Sequence, residues 1–226
     1  MKVSVLIPCW NYGRFLPTAI ESVLAQTYSD YDITVVDDGS EDNTAAVCRN
    51  YPQVKYLYCA HRGVAAARNT AIRASDGEMI AFLDADDQYV PDKLKKQVQY
   101  MQEHPDCRIV FTGLKNFLDE SVEHPDGRMI RLLNQPVPEA LPSALICRGV
   151  FDRAGLFNEA YERGEDTDWL LRVSAAGISI SHVIPEELYL RRIHEDNTTG
   201  DTVDKQVLLR MVRHAAMLKK NRGKGQ

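Results

Sequence analysis

The chain has 226 residues, 44% of them hydrophobic and 26% charged, which is enough apolar material for one large domain or two small ones and too much for disorder. Its formal net charge of −5 argues against general nucleic-acid binding, which needs a basic surface. The five cysteines (Cys9, Cys48, Cys59, Cys107 and Cys147) are odd in number, scattered and never spaced as CxxC, so they read as reduced thiols of a cytosolic protein with no zinc site.

The apolar part of Met1–Pro8 is too short for a signal peptide. No stretch approaches the ~20 apolar residues that cross a bilayer. The expected place is the cytoplasm, with peripheral contact at the inner face of the membrane as the further option.

Taken in chain order, residues 3–7 form an apolar strand ended by Pro8. Residues 14–26 carry Phe15, Ile20, Val23 and Leu24 at helical spacing. Residues 32–37 form a second strand, and Ser40 or Asp42 caps a helix through about Asn50. Residues 54–59 make a third strand. An Ala-rich helix spans 64–75 and stops at Asp76-Gly77. Residues 78–83 are the fourth strand, and Pro91 fits the first turn of a helix to Glu103. Residues 107–114 read as another strand.

The second half is less regular. Residues 115–140, with Pro125, Asp126-Gly127, Pro136 and Pro138, read as a loop or a hairpin with a mobile tip. Residues 141–147 and 179–193 have strand character, and 166–176 a helical pattern stopped by Gly177. From Thr202 the chain is helical and basic, with Lys205, Arg210, Arg213, Lys219, Lys220, Arg222 and Lys224. Strand–helix alternation in the first half predicts an α/β fold with a mainly parallel central sheet flanked by helices.

Two acidic clusters end apolar runs: Val35-Val36-Asp37-Asp38-Gly39-Ser40 and Ile80-Ala81-Phe82-Leu83-Asp84-Ala85-Asp86-Asp87. In an open α/β sheet, ligands bind at the carboxyl ends of the strands. If strand geometry persists, Asp84 and Asp86 share one side. Together they grip one cation, or one holds the cation and the other a ribose hydroxyl. The alternative is a plain acidic turn. Mg²⁺ takes one or two carboxylates plus phosphate oxygens, and Mn²⁺ suits the same ligands. The pattern therefore points to a nucleoside diphosphate that carries a sugar.

A carboxylate in Asp37-Asp38 can accept the imide N–H of a uracil or the amino group of another base, although Asp-Gly-Ser is also ordinary turn chemistry. Arg68, in an otherwise apolar helix, wants an anion or a carboxylate. In Gly164-Glu165-Asp166-Thr167-Asp168, Asp166 is either a helix N-cap or a general base. His194, after Arg191-Arg192-Ile193, is a metal or phosphate ligand or a structural histidine.

The ordered set Ser4–Tyr12 with Pro8, Val36–Ser40, Gly63 with Arg68-Asn69, Phe82–Asp87, Gly164–Asp166 and Tyr189–His194 resembles the family-2 inverting glycosyltransferases, which have the GT-A fold. The resemblance covers roughly residues 3–195. It implies that Pro8 and its neighbours lie against base and sugar, that Asp38 recognises the base, and that Arg68 lies beside the nucleotide. It places Asp84 at the ribose and Asp86 on a Mn²⁺ or Mg²⁺ ion. It gives Asp87 a supporting or donor-sugar role, Asp166 the role of catalytic base, and His194 that of a second metal or diphosphate contact. Leu190, between Tyr189 and Arg191, departs from the Tyr-Arg pairing that is frequent in the family, which leaves the individual arginines unassigned.

These readings combine into a single catalytic domain. Residues 1–114 bind the nucleotide sugar, about 115–200 form a smaller mixed acceptor-side lobe, and 201–226 form a basic helix. The reaction expected is metal-dependent inverting transfer, with a UDP-sugar favoured as donor, to a saccharide or other hydroxyl acceptor in bacterial polysaccharide or glycoconjugate synthesis. The rivals are a polyprenyl-phosphate acceptor, a sugar-phosphate nucleotidyltransferase and a non-catalytic nucleotide-sugar-binding protein. Pro8-Cys9-Trp10-Asn11 offers no Gly-rich triphosphate loop, which counts against the nucleotidyltransferase. For the basic helix, packing on the catalytic lobe is favoured over a membrane surface.

Overall fold

The computed structural model describes residues 1–134, 140–197 and 205–222. In chain order the strands are β1 (Val3–Cys9), β2 (Tyr31–Asp38), β3 (Val54–Cys59), β4 (Met79–Phe82), β5 (Gln88–Tyr89), β6 (Ile109–Leu118), β7 (Leu145–Cys147) and β8 (Val183–Ile193). The helices are α1 (Leu16–Leu24), α2 (Thr44–Arg49), α3 (Val64–Ala74), α4 (Lys93–Glu103), α5 (Gly127–Asn134), α6 (Gly149–Ala154), α7 (Glu165–Ala175) and α8 (Lys205–Arg222).

Among the described residues the strands join one sheet in the order β3-β2-β1-β4-β7-β6-β8-β5. β1 pairs in parallel with β2 and with β4, and β2 pairs in parallel with β3. The chain builds outward from β1 to β3, then returns to add β4 on the other side. That reversal of direction creates a crevice at the strands' carboxyl ends, between β1 and β4. β7 is antiparallel to both β4 and β6, β8 is parallel to β6, and β5 is antiparallel to β8. These strands form the smaller mixed half.

Alternation along the central strands builds two apolar layers. Val3, Val5 and Ile7 pack with Leu16, Ile20 and Val23 of α1 and Leu94 and Val98 of α4. Leu6, Ile80 and Phe82 face the other way, with Ala67 and Ala71 of α3, Phe151 of α6, and Trp169 and Val173 of α7.

Several boundaries depart from the expectations. β1 runs through Pro8, which pairs with Val36. The last β1–β4 pair is Leu6↔Phe82, so the missing N–H of Pro8 falls beyond the end of β4, where proline is tolerated. β4 stops at Phe82 instead of carrying extended geometry into the acidic cluster. The N–H of Asp87 bonds the carbonyl of Asp84 at 3.0 Å and makes that cluster a turn. Pro91 precedes α4 by two residues, and its carbonyl accepts the N–H of Thr27.

β6 extends to Leu118, and α5 occupies part of the segment expected to be a loop. Pro136 and Pro138 lie outside the described residues. β5 and α6 had no sequence signal, being two and six residues long. The proposed cap Asp42 accepts the N–H of Thr44 at 2.9 Å and that of Gly13 at 2.8 Å, while the residue in the cap position is Asn43.

Lys93 at the start of α4 is fully buried. Its ammonium donates to Gln97 Oε1 at 2.9 Å and lies 4.1 Å from the ring centroid of Tyr89. Burial pushes its pKa down to about 7 from 10.5. Between those values the unfolded chain holds a proton at this site that the folded chain does not, so stability rises with pH. We expect wild-type stability to gain on the order of 1 kcal/mol per pH unit between pH 7 and 9 from this group. Above pH 9 the buried Cys9 thiol, pushed up to about 12 by burial, acts in the opposite sense. Urea titrations of Lys93→Met should lack the rise, and equal slopes in the two proteins would refute it.

Candidate active site

The crevice gathers the ends of β1, β2 and β4 with the N-terminal turns of α3 and α7. The register places Pro8 beside Val36 and Asp38 beside Cys59. Pro8 itself is buried, and the exposed ring at this edge is Trp10, at 50% exposure.

The two aspartates that end β2 face inward. Asp37 accepts the N–H of Ser40 at 2.8 Å and the hydroxyl of Tyr56 at 2.7 Å. Asp38, expected to meet a base, is 3% exposed. Its Oδ1 accepts the N–H of Arg62 at 2.9 Å and its Oδ2 that of Gly63 at 2.8 Å. Nδ1 of His61 lies 2.8 Å from the same Oδ2. The β3–α3 turn thus takes up the carboxylate at the entrance to α3.

The Asp84–Asp87 turn separates its three carboxylates by environment. Asp84 has its side chain 36% exposed and accepts Nη2 of Arg68 at 3.2 Å. Asp86 is buried beside His194, with Nε2 3.0 Å from its Oδ2. Asp87 faces inward, where it accepts the Tyr189 hydroxyl at 2.6 Å and the Arg192 N–H at 2.8 Å. Burial and then the neighbouring carboxylates raise the pKa of Asp87 well above the usual range. Asp84 is raised in the same sense by partial loss of water around it, which its Arg68 partner opposes. These bonds tie β8 to the turn that carries Asp86.

Arg192 reinforces that tie. Its Nε donates to the carbonyl of Asp86 at 2.9 Å and its Nη1 to Asp119 Oδ2 at 2.6 Å. Asp119 carried no sequence signal, because its partner lies on a different strand.

Arg68 is the centre of the site. It is buried on α3, and besides Asp84 it holds Glu165 Oε1 at 2.6 Å. Its guanidinium lies 5.8 Å from the ring centroids of both Phe82 and Phe157. One side chain therefore links the edge of β4 to the first residue of α7. Burial raises the pKa of Glu165, against the opposing pull of Arg68.

Gly164 caps α7 in the left-handed region, with φ 80°, a conformation that favours glycine. Asp166 is therefore inside the first turn and is not the cap. Its Oδ1 accepts the N–H of Thr167 at 2.6 Å. Asp168 is buried and bonded to Arg172 Nε at 2.8 Å, and Glu165 is buried against Arg68. Of the three first-turn carboxylates only Asp166 is partly exposed. Trp169 anchors the helix, with its indole N–H on the carbonyl of Gly155 at 2.9 Å.

Among the described residues no group of three or more His, Cys, Asp and Glu side chains is placed to hold a metal ion. The Asp86 carboxylate, oriented by His194, still fits a Mg²⁺ or Mn²⁺ ion whose remaining ligands come from phosphate oxygens and water. Nδ1 of His194 accepts the N–H of Asp196 at 3.2 Å, so its Nε2 carries the hydrogen and donates it to Asp86, which leaves the carboxylate as the group of the pair with lone pairs for a cation.

The sheet order defines an α/β protein with a carboxylate edge, and the solved structures it resembles share that architecture. Residues 1–349 of S. aureus TarS in complex with UDP-GlcNAc match with a TM-score of 0.76 at 20% identity, covering 96% of this chain and 66% of that one. The mannosyltransferase PcManGT from Pyrobaculum calidifontis, in complex with GDP-Man and Mn²⁺, matches with a TM-score of 0.64 at 20% identity, covering 88% and 58%. The fold is GT-A.

The chain belongs to glycosyl transferase family 2, whose model matches residues 4–158. An uncharacterized glycosyltransferase of Rickettsia bellii (strain RML369-C) is 31% identical over 210 residues, 88% of this chain and 30% of that protein. Chondroitin synthase of Escherichia coli is 30% identical over 217 residues, 90% of this chain and 31% of that protein. The chain thus spans only about a third of the length of these relatives.

Proposed function

We propose that this chain is a single two-lobed catalytic domain that transfers a sugar, with inversion and with Mn²⁺ or Mg²⁺ as cofactor, from a nucleoside diphosphate sugar to a hydroxyl acceptor in polysaccharide or glycoconjugate synthesis. The observation that carries this reading is the Arg68 bridge between Asp84 and Glu165. It sets a carboxylate at the donor crevice and the partly exposed Asp166 on one rigid frame. A UDP-sugar is the favoured donor, supported by the UDP-GlcNAc held by TarS, and PcManGT, which holds GDP-Man and Mn²⁺, supports a divalent cation.

In this mechanism Pro8 and Trp10 border the base and Asp84 meets the ribose. Asp86, with His194 beside it, would hold the cation, which supplies charge neutralisation for the departing diphosphate. Asp166 takes the proton from the acceptor hydroxyl as its oxygen attacks the anomeric carbon from the face opposite the diphosphate. Asp87, Arg192 and Glu165 act through the residues they hold. The test is a screen of UDP-, GDP- and dTDP-sugars for transfer or hydrolysis with Mn²⁺ present, and no turnover with any donor would refute the reading.

Among the described residues no helix is long and apolar enough to cross a membrane. α8 packs on α7 and buries Met211 and Ala215, while Leu208, Leu209 and Val212 stay exposed. We assign α8 to packing and expect no sedimentation with vesicles rich in phosphatidylserine. Sedimentation that is abolished by Leu209→Glu with Val212→Glu would instead establish a peripheral membrane surface.

A further inference from the structure

His61 was not singled out by any sequence motif, yet three features of the fold converge on it. Its Nδ1 lies 2.8 Å from Asp38 Oδ2 and 3.0 Å from the Asp38 carbonyl oxygen. Both are acceptors, so Nδ1 carries the hydrogen, and in the neutral ring Nε2 is left as an acceptor.

The second feature is a stacked neighbour. The imidazole and the indole of Trp10 are 4.3 Å apart between centroids and inclined by 20°, and each side chain is about half exposed. The third is the backbone beneath the ring. Gly39 has φ 76°, and a Cβ there would lie 2.8 Å from the N and 3.2 Å from the Cα of His61. Only glycine lets the β3–α3 turn approach the end of β2 this closely.

Asp38 has both oxygens occupied by its own chain and is buried. Beside it, the imidazole that Asp38 orients is 48% exposed. Among the described residues Nε2 has no partner.

We infer that His61 reads the nucleotide base through Nε2 and selects bases whose pairing edge has an N–H at its centre. This rests on the nucleotide-donor reading above. An acceptor at Nε2 complements N3–H of uracil or thymine and N1–H of guanine. It opposes N3 of cytosine and N1 of adenine, which are themselves acceptors. A base joined edge-on to the imidazole lies nearly parallel to the Trp10 indole, because the two rings are nearly parallel. Asp38 is then a positioning residue: it fixes the tautomer and plane of His61.

The test is calorimetric titration of UDP, GDP, CDP and ADP, each with Mn²⁺, into wild type, His61→Phe and His61→Gln. Phenylalanine keeps a flat ring against Trp10 and removes the acceptor. Glutamine offers both donor and acceptor and so discriminates poorly. Wild type should bind UDP or GDP at least about tenfold more tightly than CDP and ADP, the worth of one well-placed hydrogen bond against a repulsive one. Both variants should reduce that ratio to about threefold or less, with UDP affinity lowered, CDP affinity equal to or above that of wild type, and melting temperature preserved.

A wild-type preference for CDP or ADP, or an undiminished ratio in both variants, would overturn the assignment while leaving the nucleotide-donor reading intact. Failure of wild type to bind any of the four would overturn that reading and this inference with it.

Discussion

Replacing Asp166 by Asn is expected to lower kcat by ~10²–10⁴, the range typical of a lost general base, while donor affinity stays nearly intact. The substitution keeps the size of the side chain and an oxygen for the Thr167 N–H. It does not disturb a helix cap, because Gly164 occupies that position. Melting temperature should therefore be unchanged. The neighbouring carboxylates are poor substitutes, since Glu165 is held by Arg68 and Asp168 by Arg172. Single-turnover kinetics at saturating donor would separate the chemical step from binding. A variant with near wild-type kcat would remove Asp166 from the mechanism and direct attention to Glu165.

Chelation is expected to abolish transfer, and Mn²⁺ or Mg²⁺ to restore it. Asp86→Ala should lower turnover by at least ~10²-fold, exceeding the 10–100-fold typical of losing a partner that only supports a metal ligand, and should weaken nucleotide binding measured with the cation present. His194→Ala should have a smaller effect, because the hydrogen on Nε2 points at Asp86 and the ring mainly orients that carboxylate. Full activity in excess chelator would refute metal dependence, and equal losses in the two variants would show His194 to be a full ligand.

Much of the first half of the chain was legible. β3 spans the expected residues at both ends, β2 is one residue longer at each end, and α3 is one residue shorter at its C-terminus. Each is a short apolar or Ala-rich run bounded by Pro, Gly or Asp, and local pattern suffices for such runs. The mixed half was less legible. The two residues of β5 owe their conformation to pairing with Tyr189 and Leu190, and no local pattern announces a partner so distant in sequence. β6 outruns its apolar core because β8 pairs with it as far as Leu118↔Ile193.

The amino-acid sequence by itself determined that carboxylates would gather at one edge. Apolar strands that alternate with helices pair in parallel, so the acidic residues following β2 and β4 arrive on the same side of the sheet. Which of those carboxylates turns inward was decided only by tertiary structure. Asp38 and Asp87 turn inward because the β3–α3 turn and β8 bring N–H and hydroxyl donors to them. Asp86 meets His194 across 108 residues, and Arg68 meets Glu165 across 97. The physical reason is that a charged side chain is buried only where other elements replace its water with hydrogen bonds. Those donors come from distant parts of the chain, so residue type and spacing placed the carboxylates at the edge and the packing of the whole domain chose among them.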